Sequence, residues 1–251
     1  ARLGDQIVAA VTDGDRRCTN PQGMAVLDDL VERLRTASGY RGRIAVQVVD
    51  SEVINAFAVP GGRIVVFRGL LDNAETPDEV AAVLAHEMGH VVHPPPTRAL
   101  LRQISLPALQ RLAFGSYGDS FETAASLGQT MLALRNGRDA EREADAAAIA
   151  MLERAGLKAN GLNAFFVLME RKTGGADFGW LSTHPPLDER RQATQHDDKG
   201  KPALDQAQWK QLQAICDGGT RTAPLDRTPD RKSTPAPSPL KGRGTNGRDR
   251  I

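Results

Sequence analysis

The chain has 251 residues, 40% of them apolar and 25% charged, with a formal net charge of +1. That composition suits a folded protein with a sizeable core, and the near-neutral balance gives no global sign of a nucleic-acid partner. No apolar run reaches the ~18 residues that a membrane span needs; the longest, "ISLPALQRLAFG" at 104–115, is broken by Pro107 and Arg111.

The chain begins at Ala1 rather than Met. We expect that residues were removed from the front, so a signal peptide or membrane anchor could have preceded it, and its absence is not read as cytoplasmic location. Residues 217–251 hold five prolines, eight Lys/Arg and four Asp/Glu, and almost nothing large and apolar. They read as a disordered Pro/Gly-rich basic tail, solvated and without a partner of its own, the alternative being a weak attraction to an acidic surface or membrane. The folded domain is then 1–216, which carries the remaining net charge of −3. Cys18 and Cys216 lie near its two ends; in an exported protein they could form a disulfide, and otherwise they are two unpaired thiols.

In chain order, apolar residues at 24, 27, 30, 31 and 34 give a helical period over 24–37. The stretch 43–50 is β-rich, and 53–71 reads as strand, Pro60-Gly61-Gly62 turn, strand. A long helix is expected over 76–93, with Thr76 as N-cap, Pro77 at the first position, Asp78 and Glu79 in the first turn, and "PPP" at 94–96 as its stop. Helices follow at 98–112, 120–135, 138–155, 161–173, 183–194 and 205–217, the last with Trp209, Leu212, Ile215 and Cys216 on or near one face. The order gives an α+β fold, mainly helical, with a small sheet in the first third.

The helix over 76–93 carries "HEMGH". A spacing of four puts His86 and His90 on one face, where both imidazoles reach one ion at ~2.0–2.1 Å. Glu87 is turned about 100° from His86, placed to reach a water rather than to join the ligands. The glutamate then takes the water's proton and delivers it to the leaving amine. The alternative is a helix with two structural histidines. Gly89 lets another backbone come close. His93 ends the helix and is read as structural or as a support behind the ligands, not as a ligand.

A third ligand must come from elsewhere. "DAEREAD" at 139–145 offers Glu141, Glu143 and Asp145. Glu141 and Asp145 share a face, and Glu143 lies roughly 200° from Glu141, so it points to solvent if Glu141 points to the metal. Asp145 can hold a ligand histidine through its second ring N–H. His184 opens "HPPLDERR", where it could bind an oxyanion, close the metal site as an extra ligand, or belong to a surface loop; Arg190 could reach the same place. His196 lies in a polar run and is expected to be exposed.

Four segments together resemble the zinc metallopeptidase family of HtpX, BepA and the CAAX prenyl proteases, closest to its soluble BepA-like periplasmic branch. They are "NAFAVPGGRIVVFRGLL" (55–71), "PDEVAAVLAHEMGHVVH" (77–93), "EREAD" (141–145) and "STHPPLDERR" (182–191). The chain departs from the family at Asn136-Gly137, where a Tyr-Ser pair is more usual, and at the middle proline of "PPPTRALLRQ". The resemblance implies a zincin-like fold with one zinc ion per chain held by His86, His90 and Glu141. It also implies Glu87 as base and acid, Asp145 supporting a ligand, and His184 and Arg190 at the active site. In BepA-like relatives the matching histidine can fill the metal's open position. An edge strand including Asn55, Ala56 and Phe57 would pair with an extended substrate.

The function expected is a zinc metalloendopeptidase in protein quality control, cleaving unfolded or damaged proteins. Its place would be the periplasm, free or membrane-anchored, of a bacterial cell envelope. A non-proteolytic zinc-containing chaperone or adaptor, holding clients on the same edge strand, is the alternative. A zinc exopeptidase is the third reading. The partners expected are unfolded or extended polypeptides, with no nucleic acid.

Overall fold

The computed structural model of the chain describes residues 15–93, 138–173 and 187–218, with Gly4, residues 7–9, Thr12, Trp180 and His184. All of these lie in one unit, Ala1–Arg221. The helices expected at 98–112 and 120–135, the Asn136-Gly137 departure and the tail beyond residue 218 lie outside the described residues.

Helix α1 spans Pro21–Ser38. Asn20 caps it, its side-chain oxygen accepting from the Gln22 and Gly23 amides, and Gly39 ends it at φ 71°. Its buried face is Gly23, Val26, Leu27, Leu30, Val31 and Leu34, the three-and-four spacing of an amphipathic helix. Strands β1 (Ala45–Val49), β2 (Ala56–Val59) and β3 (Arg63–Phe67) form a sheet in the order β1-β3-β2. β1 runs parallel to β3, with Ala45 opposite Arg63; β2 runs antiparallel, with Phe57 opposite Val65. Gly61 and Gly62 make the β2–β3 turn at φ 91° and 74°, which side chains disfavour.

Alternation along the strands splits the core in two. Val48, Ala56, Ala58, Ile64 and Val66 face the helices. Val49, Phe57, Val59, Val65 and Phe67 face the other way, onto Ile7 and Val8.

The second strand of the expected hairpin is shorter than 53–71 implied. It ends at Phe67, and Arg68–Asn73 forms a short helix, α2. Arg68 turns the chain there: its guanidinium bonds Asp50 at 2.6 Å and also Asp72, one helical turn on. Gly69 packs so tightly on the Glu52 carbonyl that a Cβ would collide with it.

Helix α3 is Pro77–Val92, and every residue from Glu79 to His90 is buried. Thr76 holds the N-cap position but does not cap a backbone N–H; its hydroxyl donates to Glu79 Oε1 at 3.3 Å, while Glu79 Oε2 accepts from the Glu75 amide. Helix α4 (Arg138–Arg154) crosses α3 closely, because Gly89 leaves room: a Cβ there would lie 2.9 Å from the Ala144 Cα. Helices α5 (Gly161–Thr173), α6 (Leu187–Ala193) and α7 (Gln206–Gln213) follow. The helix expected over 205–217 is thus shorter, and a 3-10 turn at Ala214–Cys216 completes it. Leu212, Ile215 and Cys216 are buried, and Trp209 packs against the same core. A disulfide joins Cys216 to Cys18 across 198 positions of sequence. The architecture is α+β, helices around a three-stranded sheet. No helix among the described residues is long and apolar enough to cross a membrane.

Candidate metal centre

His86 and His90, one turn apart on α3, bring their Nε2 atoms within 3.1 Å of each other. Glu141, from the first turn of α4, places Oε1 3.3 Å from His90 Nε2 and Oε2 3.6 Å from His86 Nε2. His184 adds Nδ1, 3.3 Å from His86 Nε2 and 3.1 and 3.2 Å from the two Glu141 oxygens. All four side chains are buried. Four ligands at about 2.0–2.1 Å around a tetrahedral ion stand about 3.3–3.4 Å apart. The measured separations of 3.1–3.6 Å cluster around that value. Two or three imidazoles with one carboxylate are also a donor set that suits zinc.

Charge gives a second test of fit. Glu87, Glu141 and Asp145 are buried carboxylates, and Arg190 is the buried guanidinium among them. The three negative charges exceed the fixed positive charge by two, and a divalent cation balances them.

The supporting groups are equally close. Asp145 Oδ1 lies 2.8 Å from His86 Nδ1, which orients the ring and leaves Nε2 for the ion. Arg190 grips Asp145 with two bonds of 2.7 Å, Nε to Oδ2 and Nη2 to Oδ1. Its Nη1 donates to the His184 carbonyl at 2.7 Å and lies 2.8 Å from Glu141 Oε2. Arg190 thus ties α6, α4 and the His184 backbone together.

Glu87 faces the sheet. Its Oε2 accepts from the Ala58 amide at 2.8 Å, and its Oε1 lies 3.3 Å from His184 Nε2. Asn55 Oδ1 accepts from the Ala56 amide, and the Asn55 carbonyl accepts from the Phe67 amide. Phe57 therefore bonds back to β3, and its ring lies on the sheet face away from the helices. Ala56 and Ala58 carry the amides that point away from β3.

Without an ion, the side chains shift one another's protons. Burial pushes the Glu87 carboxyl up, but the neighbouring His184, His86 and His90 outweigh it and bring it down to about 2. Burial lowers His184, yet Glu87 and Glu141, close to its two ring nitrogens, raise it to about 9. Burial, reinforced by the charge of His86, lowers His90 to about 4, against the pull of Glu141. Glu141 and Asp145 fall below the usual carboxylate range despite burial, through His184 and His90 for the first and Arg190 and His86 for the second.

His93 and Glu143 stay outside. They pair with each other at 3.2 Å on the surface, with side chains 45% and 59% exposed. His196 is also exposed, 3.7 Å from Glu153.

Two contributors escape a reading of the sequence. One is the Ala58 amide, whose side chain carries no signal. The other is Trp180, which stacks on His184 at 4.5 Å and 19°. Its signal is faint: it is one of two tryptophans and stands four residues before His184.

The likeness to known proteins follows these same segments. The model of Peptidase family M48 matches residues 21–197. The chain is 33% identical over 141 residues to mitochondrial metalloendopeptidase OMA1 of Arabidopsis thaliana, covering 56% of this chain and 28% of that protein. It is 26% identical over 200 residues to the putative beta-barrel assembly-enhancing protease of Vibrio cholerae, covering 74% and 41% respectively. It is 27% identical over 196 residues to metalloprotease LoiP of Escherichia coli, covering 72% and 77%. The chain thus spans less than half the length of the first two. The family match runs from the start of α1 to just beyond α6, taking in every residue that faces the ion position, and on that match the chain belongs to peptidase family M48.

Proposed function

We propose that the chain is a zinc-dependent metalloendopeptidase of zincin-like fold that hydrolyses peptide bonds in unfolded or damaged proteins. The observation that carries it is the convergence of His86, His90 and Glu141 on one point with Glu87 beside them, bound to the edge strand by the Ala58 amide. A structural ion would need no such carboxylate next to it.

His86, His90 and Glu141 would hold the ion, with Asp145 and Arg190 fixing their orientation. Bound zinc supplies Lewis acidity, making water a nucleophile near neutral pH and polarising the scissile carbonyl. Glu87 Oε1 accepts the water's proton and passes it to the leaving nitrogen, while Oε2 stays anchored on Ala58. An extended substrate would lie along β2, using the outward carbonyl of Ala56, a backbone pairing that gives affinity with little side-chain selectivity. Asn55 and Phe57 would shape that strand from behind. His184 would fill the fourth ligand position in the resting protein and give way to water and substrate.

The site of action would be a bacterial cell envelope, on the periplasmic side. The Cys18–Cys216 disulfide supports an oxidising compartment, and four similar proteins are named for beta-barrel assembly.

The test is to incubate zinc-loaded wild type and Glu87→Gln with unfolded casein. Cleavage by wild type, reduced at least a hundredfold in the variant with zinc content unchanged, is the expected result. If neither cleaves and both suppress client aggregation, the endopeptidase reading fails and the chaperone reading replaces it.

A further inference from the structure

Trp180 is fully buried. Besides stacking on His184, it meets His86 edge-on at 5.4 Å, and the Arg190 guanidinium carbon lies 5.3 Å from its ring. It therefore touches two of the rings that face the ion position and the arginine that braces them. Its other contacts are with the core. Phe165 of α5 meets it at 5.4 Å and 87°, and Phe166 at 5.5 Å and 38°. Its backbone amide donates to the Ile54 carbonyl at 2.8 Å, just before the edge strand. An indole held from both sides in this way has one orientation.

That orientation matters because the two nitrogens of His184 face different partners. Nδ1 stands among the ligating atoms, 3.3 Å from His86 Nε2. Nε2 stands 3.3 Å from Glu87 Oε1. The second side-chain torsion of a histidine is broad, so the backbone alone does not set the ring plane. A flat indole at 4.5 Å does, because it blocks the ring from turning on edge. Asp145 does the equivalent for His86 through Nδ1, but both His184 nitrogens are directed at the ion position and Glu87, so its ring is oriented through its face.

We propose that Trp180 is a positioning residue of the metal centre, fixing the ring plane of His184 so that Nδ1 serves as a ligand while Nε2 meets Glu87. This rests on the metal-site reading given above. It assigns to an apolar side chain the orienting task that outer hydrogen-bond partners perform for other metal-bound histidines.

The test is a double-mutant cycle on the full chain, pairing Trp180→Leu with His184→Ala. Zn2+ affinity is measured by competition with a chromophoric chelator, and Co2+ is bound in parallel, its visible absorption being strongest when four-coordinate. Trp180→Leu should weaken Zn2+ about tenfold and dim the Co2+ band, as loss of an orienting partner does. Trp180→Phe, which keeps an aromatic face, should restore most of both. In the His184→Ala background, Trp180→Leu should change neither. An equal loss in that background would overturn the proposal, since Trp180 would then act through general packing; so would no loss in either background. If Trp180→Leu does not fold, Trp180→Phe carries the same comparison, with a smaller loss expected only where His184 is present. Wild type that binds no Zn2+ would overturn the metal-site reading and this proposal with it, a result distinct from binding without coupling.

Discussion

Replacing Arg190 with Met should cost about 3–5 kcal/mol of stability in chelator-treated protein. The magnitude follows from what the guanidinium leaves behind. It makes two 2.7 Å bonds to Asp145, one 2.7 Å bond to the His184 carbonyl, and lies 2.8 Å from Glu141 Oε2. Methionine fills the space of the stem but supplies no donor, so two buried carboxylates lose their shared cation. Breaking a buried pair from one side costs more than the pair contributes, because the remaining charge stays desolvated. Removing both sides should therefore recover part of the loss. Arg190→Met combined with Asp145→Asn should be less destabilised than the sum of the single variants by about 2–3 kcal/mol. Arg190→Lys keeps the charge but not the two-pronged grip and should fall between Met and wild type. Urea unfolding followed by far-UV circular dichroism, with equal m-values across the set, measures all four. Additive single effects, or a loss under about 1 kcal/mol for Arg190→Met, would refute the reasoning, since Arg190 would then be a packing residue above Phe166.

Three further outcomes follow from the same structure. His184→Ala should retain zinc at about tenfold lower affinity and should alter casein cleavage, read with metal content measured in the same samples; unchanged cleavage would remove His184 from the site. Cys18→Ser with Cys216→Ser should lower stability by about 2–5 kcal/mol, because a link across 198 positions restricts the unfolded chain; a melting temperature equal to wild type would contradict this. Asp50 is hydrogen-bonded by Arg16 and then Arg68, which hold its carboxyl below the ordinary 3.8. A depressed carboxyl stabilises the fold above its ordinary value and loses that contribution as pH falls through the depressed one. Asp50→Asn should therefore cost about 1–2 kcal/mol at pH 7, and its gap to wild type should close below pH 3.8; a gap constant from pH 7 to 3 would rule it out.

The parts of the site that sequence makes legible are those governed by helix geometry. His86, Glu87 and His90 follow from their spacing on α3, and the outward course of Glu143 follows from the same rule on α4. The close approach at Gly89 is legible too, because a glycine beside a ligand has few other uses. What is not legible depends on how separate segments meet. "RGLL" at 68–71 is as apolar as a strand, and only the Arg68–Asp50 contact shows why the strand has ended. Thr76 has the chemistry of an N-cap, yet the buried Glu79 captures its hydroxyl. Trp180 has no periodic context at all, and its place on His184 comes from the packing of Phe165 and Phe166 beneath it.

Glu87 gathers these separate segments into one constraint. One carboxylate oxygen is held by the Ala58 amide of the edge strand, so on the proposed reading the other would be the one to exchange a proton. That working oxygen lies 3.3 Å from His184 Nε2, and the same ring presents Nδ1 to the ion position. On the proposed reading, a single side chain would therefore cover both the base and the fourth ligand site. If the ring withdrew, both would become available in one movement; while it stayed, neither would. A ligand that displaced Nδ1 but left the ring in place would still meet a base paired with imidazole. On the proposed reading, zinc occupancy and activity would be separable quantities, and His184 would be the residue at which they divide.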